Sequence, residues 1–295
     1  MIDLHIHTNA TPHHATWTPE TLTAAAARAG LRVIAVTDHN TTAAVRATQE
    51  AGARYAIRVI SGVEIDSGFP AGHPDDVLPF KLWHILVYGA DPDAPPLQAL
   101  CRSVTERNRA DAGALRRRLI GEGFRLTGID GLGRPPNVAD IGTALGKSND
   151  LPDRHPGDDD ESAGMRYILT RLPGAYRPPA VDEVIAVAHA TGGLAVLAHP
   201  GRSQGVYAIP ATAEDIAAMA AAGLDGIEVY YPTHHPDQVK MYDDLAQRHG
   251  LLVTGGSDSH HPHQSLAHWP EAWCYAFLAR VGGALQGQVF FPASP

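Results

Sequence analysis

The chain has 295 residues, 44% of them hydrophobic and 19% charged, with a formal charge of −9. That balance fits one globular unit, or one domain with a large insertion, and excludes a broad nucleic-acid-binding face while leaving room for a small phosphorylated substrate in a local positive site. Two cysteines, Cys101 and Cys274, exclude a disulfide framework, and no apolar run approaches membrane-spanning length.

In chain order, Met1 is followed at once by an apolar run, so a signal peptide is not expected and a cytoplasmic location is. Asp3-Leu4-His5-Ile6-His7 then places two imidazoles two positions apart. On a strand they share a face, with Leu4 and Ile6 packed on the other. The pair can hold a divalent metal, or it can be one core histidine and one exposed one. A loop follows through His13-His14. Thr18-Pro19-Glu20 predicts a capped helix start, and the Ala-rich stretch stops at Gly30. Arg32 to Thr37 is a buried strand running into Asp38-His39, which completes a βαβ unit. Val59 to Ile65 is a third strand and carries Glu64. Trp83 to Gly89 is a fourth, with His84 near its start, and Gly68 to Lys81 between them reads as loop.

From Pro95 to Pro179 the character changes. Leu97 to Leu119 has helical apolar spacing, followed by a Gly-rich region and the acidic run Asp158-Asp159-Asp160-Glu161. This predicts a mostly helical insertion over 95–179, with the acids in a solvated loop. The βα rhythm returns over 180–295. Strands at Leu194–Ala198, Gly226–Tyr231 and Leu251–Gly256 alternate with helices at Val181–Ala190, Ala213–Ala222 and Pro236–His249. The tail beyond His261 shows only one candidate strand, at Val289-Phe290-Phe291.

The 17 histidines are the unusual feature. His39, His199, Asp258 and His260 each follow the C-terminal end of an apolar strand, where βα barrels place their active sites. Glu64 and His84 lie within strands. Imidazole with carboxylate suits Zn²⁺, Mn²⁺ or Fe²⁺, and one ion uses roughly four to six ligands, so the set predicts two or three metals.

Six stretches together resemble the PHP (polymerase and histidinol phosphatase) superfamily of metal-dependent phosphoesterases. They are Asp3-Leu4-His5-Ile6-His7-Thr8, Thr37-Asp38-His39, Gly62-Val63-Glu64, Trp83-His84-Ile85-Leu86, Ala198-His199-Pro200-Gly201-Arg202 and Gly256-Ser257-Asp258-Ser259-His260. Arg107-Asn108-Arg109, Gly133-Arg134-Pro135 and Ala175-Tyr176-Arg177-Pro178 resemble the insertion of a bacterial branch acting on nucleotides and short oligonucleotides. The resemblance implies a distorted (β/α)7 barrel over 1–94 and 180–295, with metal ligands His5, His7, His39, Glu64, His84, His199, Asp258 and His260. Nucleotide-acting members usually carry an Asp where this chain has Pro12. Another branch uses a histidine at the place of His13, so His13 is expected as the ninth ligand, with His14 the fallback. The Pro-His-Ile-Ala that often follows the Gly-Arg-Pro turn is Pro136-Asn137-Val138-Ala139 here.

These features predict a phosphatase acting on a small phosphorylated metabolite such as a nucleotide, with no long nucleic acid or membrane as partner. Arg202 is expected to clamp a phosphate oxygen, with Arg134 and Arg177 reaching from the insertion; a surface ion pair is the alternative for each. Asp38 and Asp3 could accept N–H bonds from ligand histidines. Asp38 could instead protonate the leaving group, and Asp3 could be a turn residue. The alternatives to a phosphatase are a 5′–3′ exonuclease on short oligonucleotides and a metal-bound module without catalysis. Oligomeric state is not readable from these features.

Overall fold

The computed structural model describes residues 1–11, 15–70, 80–152, 154–202 and 209–284. Seven strands form one sheet in chain order: β1 (Ile2–Asp3), β2 (Val33–Val36), β3 (Arg58–Pro70), β4 (Phe80–Tyr88), β5 (Leu194–Leu197), β6 (Gly226–Tyr230) and β7 (Leu252–Gly255). Parallel neighbours need a crossover, and helices supply it. These are α1 (Pro19–Arg28) before β2, α2 (Val45–Ala53) before β3, then α7 (Ala213–Ala221) and α8 (Pro236–His249) before β6 and β7. α1 starts as its sequence predicts, with Thr18 and Thr21 in a capping box and Pro19 in the first turn.

β4 breaks the rhythm. It runs antiparallel to both β3 and β5. No crossover is then required before it, and β3 and β4 pair from Gly62↔Tyr88 to Pro70↔Phe80, well into the stretch expected as loop. The reversal brings the start of β4 to the end of the sheet where the parallel strands finish. That explains why His84 sits early in its strand while the other site histidines follow theirs.

The expected distorted (β/α)7 barrel is met in part: the seven strands and their crossover helices are present, but they do not form a continuous ring. The ladder ends at β1 and β7, which are not paired strands, so the sheet is not closed. Three backbone hydrogen bonds beyond those strands join the two edges: Leu4 N–H to Gly255 O (3.0 Å), Asp258 N–H to His5 O (2.8 Å) and His7 N–H to Ser259 O (2.9 Å). Leu4, Ile60, Leu86, Val196 and Ala198 line one apolar cluster with Phe277 of α9 (Tyr275–Ala284), a helix the sequence did not announce. The candidate strand at Val289–Phe291 lies outside the described residues.

The insertion contributes α3 (Pro95–Gly121), α4 (Val138–Ser148) and α5 (Asp160–Arg171), which bury a cluster of their own, joined by Leu82 of β4. α4 and α5 touch through glycine: a Cβ at Gly164 would meet the Gly142 carbonyl, and one at Gly146 the Asp160 carbonyl. The acidic run is a loop only up to Asp159, which is exposed, and its last two acids open α5. Asp158 pairs with Arg166 (3.0 Å), Asp159 accepts the Ser162 N–H as the N-cap of α5 (2.7 Å), and Asp160 meets Arg154 (3.1 Å). Acids gather there because the first turn of a helix exposes unpaired N–H groups. α6 (Val181–Ala190) leads back to β5. No helix among the described residues is long and apolar enough to cross a membrane.

Candidate metal centre

Eight of the nine ligands implied by the resemblance meet at one end of the sheet; the ninth, His13, and its fallback His14 lie outside the described residues. Glu64 is at the middle and fully buried. Its Oε2 faces the Nε2 atoms of His5 (3.2 Å), His7 (3.2 Å) and His39 (3.3 Å). Its Oε1 lies 2.9 Å from His84 Nδ1 and 3.1 Å from His199 Nε2. Asp258 Oδ1 is 3.1 Å from His7 Nε2, and the His5 and His7 Nε2 atoms are 3.1 Å apart. The His260 ring stacks on His7 with centroids 4.1 Å apart.

Strand geometry brings these groups together. His5 and His7 share a face by the period of two, as do Glu64 and Asp66, and the β3–β4 register sets His84 opposite Asp66. His199 and Asp258 adopt positive φ, 27° and 56°, a costly backbone for non-glycine residues. Each is held there by a hydrogen bond from its own N–H, to Glu228 Oε2 (2.8 Å) and to His5 O.

The outer nitrogens of the rings are also engaged. Both Glu228 oxygens lie 3.2 Å from His5 Nδ1, Asp66 Oδ1 lies 3.0 Å from His39 Nδ1, and Thr11 Oγ1 lies 3.3 Å from His7 Nδ1. A ring whose Nδ1–H is donated outward presents an Nε2 lone pair inward. Sequence reasoning missed Glu228 and Asp66. Glu228 carried the same signal as Glu64, an acid inside an apolar strand, and its partner lies 223 positions away.

The electrostatics show what the cluster demands. Burial would raise the Glu64 pKa, but His39, His5 and His84 hold it well below the ordinary carboxylate value. Burial would lower the His5 pKa, yet Glu228, Glu64 and Asp258 lift it well above an ordinary imidazole. His7 is raised to about 9 against its burial, by Asp258 and Glu64. His260 is pushed down to about 2 by burial and by His7. Buried carboxylates here call for positive charge.

The donor set fits divalent metals. Glu64 Oε2 is buried and has no hydrogen-bond partner among the described residues, although three imidazole nitrogens face it. Three overlapping groups each bring donor atoms within 4.8 Å of one another: His5, His7, Glu64 and Asp258; His39, Glu64 and His84; His7, His39 and His260. His199 joins through Glu64. Glu64, His7 and His39 are each shared between two of these groups.

A cavity of about 640 Å³ opens over the cluster, between the strand ends and the insertion. Arg202 lines it, with Nη1 4.0 Å from Asp258 Oδ2. Arg134 lines it too, but as a bidentate partner of Asp140 at 2.7 and 2.9 Å. Arg177 is not in the lining; it bonds Asp111 (3.0 Å) and is 74% exposed. Asp38 does not line the cavity either. It accepts hydrogen bonds from the Thr8 N–H and from the Thr8 and Thr11 hydroxyls (both 2.7 Å), so among the described residues it bonds no histidine ring and fixes the loop bearing Thr11. Asp3 binds the N–H groups of His5, Ser257 and Ala267, the turn-holding alternative, and burial lifts its pKa to about 6. His234 is buried and bridges Val229 O and the Gly201 N–H.

Residues 3–121 match the PHP domain. The chain is 31% identical over 266 residues to a phosphoribosyl 1,2-cyclic phosphate 1,2-diphosphodiesterase of Eggerthella lenta, covering 88% of this chain and 93% of that one. It is 30% identical to a 3′,5′-nucleoside bisphosphate phosphatase of Chromobacterium violaceum, over 88% and 87% of the two chains. It is also 31% identical to the 5′-3′ exoribonuclease Rnm of Salmonella typhimurium, over 89% and 86%. Among solved structures, a proposed metal-dependent phosphoesterase from Bifidobacterium adolescentis superposes with a TM-score of 0.71 at 27% identity, covering 95% and 96% of the two chains.

Proposed function

The chain belongs to the PHP family, and from that premise we propose that it hydrolyses a phosphate monoester of a small metabolite, a nucleotide or nucleoside-like compound. The observation that carries this reading is the convergence of eight imidazole and carboxylate side chains under one polar cavity, with Arg202 at its edge. His5, His7, His39, Glu64, His84, His199, Asp258 and His260 would hold two or three divalent ions, Mn²⁺, Zn²⁺ or Fe²⁺. Such ions, when bound, lower the pKa of water and neutralise phosphoryl oxygens.

The chain's own residues do the rest. Arg202 presents a planar guanidinium suited to bidentate contact with a phosphoryl group. Glu228 and Asp66 orient His5 and His39, and Asp38 holds the loop whose Thr11 steadies His7. Arg134, tied to Asp140, is a fixed rather than a mobile positive charge on the insertion side. The formal charge of −9 disfavours a basic track for a long polymer. A phosphodiester or a short oligonucleotide is the second reading, favoured by the relatives named as a cyclic-phosphate diphosphodiesterase and an exoribonuclease.

The test, with added Mn²⁺, is phosphate release from nucleoside monophosphates, 3′,5′-bisphosphates, sugar phosphates and histidinol phosphate, and chromatographic release of product from a cyclic phosphodiester and a phosphorylated trinucleotide, whose cleavage leaves a monoester. His199→Ala is the control for contaminating phosphatase. Release that is lost in the variant supports the reading, and the best substrate chooses between monoester and oligonucleotide. No release from any of them, with metal bound, overturns it.

A further inference from the structure

Cleavage of an alkyl phosphate leaves an alkoxide, which departs slowly unless a proton reaches it. Asp38 was the sequence-level donor, and the fold commits it to the Thr8–Thr11 loop. The acids that line the cavity are nearly all committed as well. Glu64 and Asp258 sit among the imidazoles, Asp66 holds His39 and Asn40 (3.0 Å each), Asp158 pairs with Arg166, and Asp159 caps α5. Among the described residues, Glu161 alone of the lining acids shows no hydrogen bond and no ion pair.

Glu161 lies in the first turn of α5, on the insertion side of the cavity, across from the strand-end cluster. Its helix is seated directly on α4, where an added Cβ at Gly142, Gly146 or Gly164 would meet the facing helix. A phosphoryl group held at the strand ends would direct its leaving group toward the insertion, where this carboxyl is.

We propose that Glu161 is the general acid for the hydrolysis, giving its proton to the leaving-group oxygen. This rests on the phosphoesterase reading. Water supplies the oxygen of the new P–O bond, and its proton goes to solvent. The old P–O bond breaks with its electron pair on the leaving oxygen, which takes the Glu161 proton. The carboxylate left behind is reprotonated from solvent, so ester and water give alcohol and phosphate.

The surroundings suit that task. Burial is the main cause that lifts the Glu161 pKa to about 7, with Asp159 adding to it, Arg202 opposing, and Asp140 and Asp66 adding again. These charges face it from its own helix, the segment after β5, α4 and β3. The positive end of α5 also opposes the rise, but Asp159 and Asp160 already occupy that end. A carboxyl near neutrality is matched to proton donation at working pH.

The experiment compares a nucleoside 5′-monophosphate, whose alcohol leaves poorly, with p-nitrophenyl phosphate, whose phenolate needs no proton. Wild type, Glu161→Gln and Glu161→Asp are assayed with Mn²⁺, after circular dichroism shows each variant folded. Glu161→Gln is expected to lower kcat/KM about 10²-fold on the alkyl ester and less than about tenfold on the aryl ester. It should also abolish the fall in alkyl-ester rate as pH rises through about 7, and Glu161→Asp should restore part of both. Equal losses on the two esters, or an alkyl-ester rate and pH profile unchanged by Glu161→Gln, would overturn the assignment. A wild-type protein with metal bound that is silent on both esters and on the whole substrate panel would overturn the phosphoesterase reading and this one with it.

Discussion

Replacing Glu228 by Gln tests how the centre is oriented. Glu228 is fully buried; both its oxygens lie 3.2 Å from His5 Nδ1, and Oε2 accepts the His199 N–H at 2.8 Å. The amide has the same shape but only one acceptor oxygen. Its NH₂ must therefore face either the His199 N–H or the His5 Nδ1–H, donor against donor. The relief available is a change of tautomer at His5, which moves the proton to Nε2 and removes the lone pair that points at Glu64. A hydrogen bond to a charged group is worth about 1.5–3 kcal/mol. At about 1.4 kcal/mol per factor of ten, that is a loss of roughly 10–100-fold in metal affinity. Competition of Mn²⁺ or Zn²⁺ against a fluorescent chelator measures it, with near-ultraviolet circular dichroism as the check on the fold. A folded variant whose affinity stays within about threefold of wild type would refute the orienting role.

Four further outcomes follow from the same geometry. Gly164→Ala forces a methyl into the Gly142 carbonyl and should cost about 1–3 kcal/mol in urea unfolding, reduced by the better helix propensity of Ala; an unchanged midpoint would mean the helices can part freely. Lys81→Met strands Asp215, its buried partner at 2.9 Å, and should cost about 3–5 kcal/mol; a loss below about 1 kcal/mol would show the pair to be hydrated. In metal-free protein His7 keeps its proton to about 9, and a metal must displace it, so affinity should rise with pH up to that value. The sign for stability is opposite. A raised histidine pKa stabilises the metal-free fold fully below about 6.5 and is lost as pH rises through about 9. The metal-free melting temperature should fall across that window, and a flat profile would contradict the charge balance assigned to the cluster.

Much of the centre was legible because its signals are local. His5-x-His7 follows from the two-residue period of a strand, and His39, His199, Asp258 and His260 announce themselves at the ends of apolar runs. Glu64 stood out as an acid in an apolar strand. Glu228 gave that same signal and was passed over, because its importance lies in a partner 223 positions away. Asp38 was legible as a polar residue beside His39 but not in its role, since the hydroxyls of Thr8 and Thr11 had to fold onto it first. The acidic run read as a charge block, and only the seating of α5 against α4 turned three of its acids into helix-end contacts and the fourth toward the cavity.

The sequence by itself determined the order and kind of most elements and the strand ends that bear the clustered imidazoles and carboxylates, since propensity, periodicity and capping act within a few residues. Tertiary structure alone decided the direction of β4, the unclosed edge between β1 and β7, and the pairing of each histidine with its carboxylate. Those depend on which surfaces meet across the sheet, and hydrogen bonds between residues hundreds of positions apart leave no local pattern to read.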